Sequence, residues 1–180
     1  MKTAFLGASL AAIVGSVATA DVTYSFTNQT WTGFNFTEAF AAGSLSGTLT
    51  GATVNATLNA STNFTYADDL TIYVAPNPIA LGGQLQCGGY SNLQAAQRYF
   101  WANGGSPAPG TTVTGTVNFT TGINMTGNTN SIWVGNGYGD TGTSGTFTGS
   151  ITLLGVTAIP APGAIALLGL AGLVGRRRRS

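Results

Sequence analysis

Apolar and polar residues alternate along much of the chain, most clearly between residues 54 and 60. Valine, alanine and leucine occupy every second position there, and asparagine or threonine fills each gap. A period of two predicts a β-strand with one buried face and one solvated face. Threonine suits the solvated face because its branched side chain fits a pleated surface. The same pattern recurs at residues 22–26, 70–74, 113–119, 132–134 and 147–153.

Proline- and glycine-rich stretches separate these predicted strands. Residues 75–78 read APNP, residues 102–110 read ANGGSPAPG, and residues 135–145 contain five glycines. Short strands bounded by such turns predict an all-β sandwich or barrel. Residues 92–101, NLQAAQRYFW, differ from the rest, and we leave open whether one helical turn there leads into a strand.

The first 20 residues have the three parts of a secretory signal peptide in order. Lys2 supplies the positive start, an apolar stretch follows, and Ala18 and Ala20 form an A-x-A pattern. We therefore expect an N-terminal signal helix, removed by signal peptidase between Ala20 and Asp21.

Residues 159–180 form a second atypical end, which predicts a C-terminal hydrophobic helix. The sequence IPAP, with Pro160, Ala161 and Pro162, precedes an apolar span. Four basic residues then follow: Arg176, Arg177, Arg178 and Arg179. The arginines orient the span with its end in the cytoplasm. A span from 159 to 175 is short for a bilayer, so we expect transient rather than lasting membrane anchorage.

The middle of the chain, residues 21–158, is expected to form one domain with few charges. It contains one basic residue, Arg98, against five acidic residues, a net charge of −4. Such a domain has no cationic surface, which excludes nucleic acid as a partner. Cys87 is the only cysteine, so it is either buried in the core or paired with another chain.

Few residues are available for catalysis. The chain has no histidine, and Lys2 is its only lysine, which excludes a Ser-His-Asp triad and Schiff-base chemistry. A carboxylate pair that includes Glu38 would be needed for glycoside hydrolysis. With so few acids in the domain, we expect the protein not to be an enzyme.

Two adjacent acids, Asp68 and Asp69, open the predicted strand at 70–74. Together with carbonyl oxygens they are candidate ligands for calcium, the one cofactor that the sequence suggests. The alternative is that they end a loop and keep a strand edge soluble. No EF-hand spacing supports the metal interpretation.

Five aromatic residues are candidates for stacking on a flat ligand such as a sugar, although most are expected in the core: Trp31, Tyr90, Trp101, Trp133 and Tyr138. Trp133 lies between Ile132 and Val134 and must point to the opposite face of its strand. Tyr138 follows in the glycine-rich loop. Trp133 is therefore either part of a two-sided strand or, with Tyr138, a binding residue.

The tail resembles the PEP-CTERM sorting signal of exported bacterial proteins. Two prolines, the apolar LLGLAGL span and the arginine cluster follow in the order of that family. Ala161 stands where the family usually has glutamate. The resemblance implies processing near Pro160 and Pro162 by an exosortase-type sorting enzyme, and delivery to the cell surface or extracellular matrix.

The middle resembles the P domain found beside subtilisin-like convertases. The stretch YADDLTIYVAPNP carries this resemblance, with Asp69 and Leu70 opening a strand that ends at Pro76. It implies a jelly-roll-like antiparallel β-sandwich.

Three functions follow from these features. We expect an exported, non-enzymatic protein of the cell surface or polysaccharide matrix, transiently held in the inner membrane. The alternative is a carbohydrate-binding module for envelope polysaccharide, in which calcium would assist binding. A hydrolase using Glu38 and an aspartate is the third.

Overall fold

The computed structural model describes residues 21–78 and 82–160, and this part contains nine β-strands and one short 3-10 helix. The strands are β1 (Val22–Thr32), β2 (Phe36–Phe40), β3 (Leu45–Thr62), β4 (Leu70–Ala75), β5 (Leu85–Cys87), β6 (Gln97–Tyr99), β7 (Thr112–Asn124), β8 (Ser131–Asn136) and β9 (Ser144–Ala158). The 3-10 helix, Ala67–Asp69, leads directly into β4.

The strands form two sheets. The first has the order β1-β9-β3-β7, and the second has the order β2-β8-β4-β5-β6. Every pair of neighbours is antiparallel except β5 and β6, which are parallel. The predicted all-β sandwich is confirmed in this form.

The core lies between the sheets and contains the apolar positions of the alternating pattern. Val54, Ala56 and Leu58 of β3 are buried in it, together with Ile132 and Val134 of β8. All six alternating stretches lie within strands, so the period of two correctly indicated their buried faces.

Threonines cover the outer face of the four-stranded sheet. Thr23, Thr152, Thr53 and Thr116 stand in register across its four strands. The hydroxyl oxygens of Thr23 and Thr152 are 2.8 Å apart, as are those of Thr53 and Thr116. Cross-strand hydrogen bonds of this kind stabilise a solvated sheet face.

A small second core covers the outer face of the five-stranded sheet. Tyr73, Ala75 and Leu93 are buried there, and the Tyr73 hydroxyl donates to the Leu93 carbonyl oxygen at 2.9 Å. Both faces of β4 are therefore covered, and all six of its residues are buried.

The ambiguous segment at 92–101 contains strand β6 and no helical turn. The Gln86 side chain holds the irregular part of this segment, since its amide donates to the Ser91 carbonyl and its oxygen accepts from Leu93 N–H. Gln94 has a positive φ of 59°, which is incompatible with a continuing right-handed helix. These contacts outweigh the helix-forming tendency of the alanines.

Cys87 is fully buried in β5, as the hydrophobic interpretation predicted. Burial raises the pKa of its thiol, so the thiolate is disfavoured. The predicted signal helix and the predicted C-terminal hydrophobic helix lie outside the described residues. Within the described ranges, no helix has the length and apolar character required to cross a membrane.

Candidate functional site

A cleft opens at the end of the sandwich where β3 leads through the 3-10 helix into β4. Its volume is about 290 Å³, close to the lower limit of typical ligand sites. We call it the aromatic cleft and define it by its lining residues: Phe64, Tyr66, Asp68, Asp69, Gly89, Tyr90, Phe100, Trp101 and Tyr138.

The cleft concentrates the exposed aromatic surface of the described chain. Five large hydrophobic side chains are exposed in that part, and all but Ile159 line the cleft. Phe64 is 73% exposed and Tyr90 is 77% exposed, with Tyr66 and Phe100 beside them. Single exposed apolar residues are ordinary, whereas a group of them in one concave place indicates a binding site.

A tight turn after β3 builds the first wall. Asn63 and Phe64 are consecutive non-glycine residues with positive φ, 48° and 63°. This conformation is costly for a bulky side chain, and such strain is concentrated at functional sites. The Asn63 amide secures the turn by donating to the Thr141 carbonyl oxygen at 3.3 Å.

Asp69 ties two walls of the cleft together. Its side-chain oxygens accept from the main-chain N–H groups of Tyr66, at 2.8 Å, and of Tyr90, at 2.9 Å. The side chain is buried, and this desolvation raises the pKa of Asp69 to about 6 despite both hydrogen bonds. The nearby charge of Asp68 contributes to this rise in the pKa.

Asp68 supplies the available carboxylate of the cleft. It is half-buried, and no other residue in the described part donates a hydrogen bond to its carboxylate. Partial burial raises the pKa of Asp68, and its own main chain offsets this only in part. Its carboxylate can therefore accept hydrogen bonds from a ligand.

Glycines allow two loops to meet at the second wall. Gly89 has a φ of +81°, and a side chain on it would collide with the Thr71 hydroxyl and lie 2.9 Å from the Gly137 Cα. This close approach brings Tyr90 beside Tyr138 with perpendicular rings 5.8 Å apart. The two rings thus form an edge-to-face pair at the cleft.

Phe100 and Trp101, which follow β6, complete the cleft. The Trp101 indole N–H donates to the Leu70 carbonyl oxygen at 2.7 Å, and the side chain is only 6% exposed. Arg98 contacts the Phe100 ring at 4.6 Å and donates to the Tyr90 carbonyl oxygen at 2.6 Å. Trp101 is therefore the floor of the cleft, and Arg98 supports its rim.

The raised pKa of Asp69 predicts an unusual pH dependence of stability. A carboxyl group with a higher pKa in the folded state stabilises that state when protonated, and this stabilisation is lost as pH rises through about 6. Acidification from about pH 7 to about pH 4 should therefore raise the free energy of unfolding by about 1–3 kcal/mol. Urea denaturation at several pH values measures this.

Asp69→Asn should reduce this pH dependence and leave the part that Asp68 contributes, and Asp140→Asn, which removes an exposed carboxylate, is the matched control. The groups that face Asp69 are Asp68 and the backbone around Tyr66 and Tyr90, so neighbouring side chains add only a like charge. Stability that falls steadily between pH 7 and pH 4 would contradict the assignment.

The two predicted stacking residues lie in different places. Tyr138 lines the aromatic cleft. Trp133 does not, because it lies on the outer face of the five-stranded sheet, half-buried against the second core. Its indole N–H donates to the Ala75 carbonyl oxygen at 3.0 Å. Trp133 faces away from Ile132 and Val134, as predicted, but as part of a two-sided strand.

Glu38 lies far from the acidic pair. In the sheet, Glu38 of β2 stands opposite Trp133 of β8, and Trp133 stands opposite Tyr73 of β4. Tyr73 comes four residues after Asp69 in the sequence. Strand geometry then separates the Glu38 and Asp69 Cα atoms by roughly 16 Å. Carboxyl groups that act together on a glycoside lie about 5–10 Å apart. Glu38 is exposed and accepts from the Ser131 hydroxyl at 2.6 Å.

Calcium binding stays a prediction. The described residues include no group of three or more histidine, cysteine, aspartate or glutamate side chains that could hold a metal ion. Asp69 already accepts two main-chain hydrogen bonds, so a calcium ion would depend mainly on Asp68 and carbonyl oxygens.

The processing residues lie mostly outside the described ranges. The exceptions are Asp21, whose carboxylate accepts from Gly155 N–H at 3.2 Å, and Pro160. Ile159 N–H donates to the Ser44 carbonyl oxygen at 2.8 Å, so the first residue of the IPAP motif is held beside the start of β3.

Sequence reasoning missed Phe64, Tyr66 and Phe100. Phe64 and Tyr66 stand only a few residues before the acidic pair, in NFTYADD, and that proximity could have indicated a shared wall. Phe100 directly follows strand β6, far along the chain, and no local pattern connects it with Asp68.

Comparison with known protein families, with curated proteins and with solved structures finds no match for this chain.

Proposed function

We propose that this protein is an exported, non-enzymatic surface or matrix protein whose β-sandwich binds carbohydrate in the aromatic cleft. One observation carries the binding function: four exposed aromatic side chains surround the available carboxylate of Asp68. Sugars present flat apolar faces of C–H groups and a rim of hydroxyl groups. Aromatic rings pack against such faces, and a carboxylate accepts from such hydroxyls.

The size and depth of the cleft favour a small saccharide unit. Trp101 closes the floor, and the exposed rings of Tyr90 and Phe100 stand at the opening. A volume of about 290 Å³ suits the end of a polysaccharide chain better than a long internal stretch.

The strand pairing supports a jelly roll as the finer description of the fold. Four antiparallel pairs are nested along the chain: β1 with β9, β2 with β8, β3 with β7, and β4 with β5. Successive pairs alternate between the two sheets. Such wrapping is typical of jelly rolls, which occur in many lectins, and β6 is then an addition at one edge.

The delivery of the protein to the surface rests on its two ends. Mass spectrometry of the protein from its native host should find Asp21 as the first residue. It should also find the chain shortened near Pro160 and Pro162, because the tail has the parts of a sorting signal. Recovery from the cytoplasm with residues 159–180 retained would contradict this.

A glycan screen tests the binding function. The protein should retain at least one polysaccharide of the bacterial envelope and release no reducing ends from it. Glu38→Ala serves as the matched control, since Glu38 lies outside the cleft, and it should bind as well as the wild type.

Two other outcomes would favour the alternatives. If the wild type cleaves a glycoside and Glu38→Ala does not, the protein is a hydrolase. Loss of binding in EDTA would favour the calcium-dependent alternative.

A further inference from the structure

The cleft contains negative charge without a matching positive charge. Asp68 lines it as a half-buried carboxylate, and Asp69 lies beside it with main-chain N–H groups as its partners. No basic side chain lowers the pKa of either acid. Partly desolvated carboxylates in this situation gain from a cation that enters with a ligand.

The one basic side chain of the described residues does not fill this role. Arg98 is engaged with main-chain carbonyl oxygens, at 2.6 Å from Tyr90 and 3.4 Å from Gly89. It also lies over the Phe100 ring and is not among the residues that line the cavity. A cation for Asp68 must therefore come from outside the described part of the chain.

The surrounding rings are themselves attractive to a cation. The face of an aromatic ring carries partial negative charge, and rings arranged around a cavity recognise ammonium groups. Phe64, Tyr66 and Tyr90 are exposed on the cleft, and Phe100 already contacts the guanidinium of Arg98. The rings and the carboxylate together attract a positively charged ligand and repel an acidic sugar. A neutral sugar could gain only stacking contacts and hydrogen bonds.

We propose that the aromatic cleft selects a positively charged amino sugar, with its ammonium group against Asp68 and among the ring faces of Phe64, Tyr66 and Tyr90. This inference rests on the proposed carbohydrate-binding function and makes its ligand class specific. The corresponding polymer is a polysaccharide that carries free amino groups, as partly deacetylated aminoglycans do.

Two matched ligands test the inference by calorimetric titration of the full-length protein. Glucosamine oligomers carry a free ammonium group, and N-acetylglucosamine oligomers of equal length do not. At about pH 6.5, the glucosamine oligomer should bind at least about tenfold more tightly than the N-acetylated oligomer. The preference should weaken as salt concentration rises.

Asp68→Asn should remove this preference and leave binding of the N-acetylated oligomer in place. Asp140→Asn, which changes an exposed carboxylate outside the cleft, should keep the preference. It controls for the general acidity of the domain. Denaturation curves show whether Asp68→Asn is folded. If it is not, the comparison of the two oligomers on the wild type still tests the inference.

Equal affinity of the wild type for both oligomers would overturn the inference and leave the proposed function standing. A preference that survives Asp68→Asn would also overturn it. Binding of choline without binding of either oligomer would overturn the sugar assignment. Failure of every saccharide in the glycan screen would overturn the proposed function itself.

Discussion

Replacing Trp101 with alanine is expected to lower the free energy of unfolding by about 3–5 kcal/mol, the usual cost of removing a buried tryptophan. The side chain is 6% exposed, and its indole N–H is the partner of the Leu70 carbonyl oxygen. The variant would leave a cavity under the cleft and an unsatisfied buried carbonyl. Urea denaturation followed by circular dichroism measures the loss.

Trp101→Phe is the matched control for this experiment. It keeps a buried aromatic ring but loses part of the indole volume and the hydrogen bond to Leu70, so we expect a smaller loss of about 1–3 kcal/mol. Gly88→Ala should also destabilise the protein, because a side chain at Gly88 would collide with the Trp101 indole and the Leu70 carbonyl. A loss below about 1 kcal/mol in Trp101→Ala would contradict its role as the floor.

The double variant Tyr90→Ala/Phe100→Ala is expected to lose at least about 100-fold in affinity for the saccharide and little stability. Tyr90 is 77% exposed and Phe100 is 58% exposed, so neither ring contributes much to the core. Stacking on an aromatic ring is worth about 1–3 kcal/mol in the measured case of nucleobases, and two rings together reach the expected loss. Calorimetric titration measures the affinity.

Tyr90→Phe/Phe100→Tyr is the control for the double variant, because it keeps both ring faces. It should bind within a few-fold of the wild type, on the order of 1 kcal/mol or less. Undiminished affinity in the alanine double variant would show that the sugar binds elsewhere. A folded double variant without affinity would separate the binding role of these rings from any structural one.

Most strands of the two sheets could be predicted from the sequence because their buried and exposed residues alternate along the chain. From Val54 to Leu58 the apolar residues are buried and the polar residues between them are half-buried or exposed, whereas Ala60, after a register shift, is exposed. Strand β5 escaped prediction, and β6 was left open within residues 92–101, because three residues are too few for a period of two to appear. Strand β2, with FTEAF, was missed because its residues are half-buried or exposed and lack a clean alternation.

The candidate site was predictable only where its residues are neighbours in sequence. The acidic pair at Asp68 and Asp69 stood out, and Tyr138 was recognised in its loop. Tyr90 and Trp101 were candidates by residue type alone. Tyr90 and Phe100 reach the cleft through strand pairing and through the close contact of Gly89 with Gly137, which no local pattern encodes. Trp133 was a candidate binding residue, but it packs against the second core, which includes Leu93 and Ala95.

The most direct test of carbohydrate binding in the aromatic cleft is an NMR titration of the labelled protein with the saccharide found in the glycan screen. Binding in the cleft should give the largest amide shifts at Asp68, Gly89 and Tyr90 and bring sugar protons close to the rings of Tyr90 and Phe100. The amides of Thr53 and Thr116, on the outer face of the four-stranded sheet, should not move. Shifts confined to that face, or to the surroundings of Trp133, would contradict it.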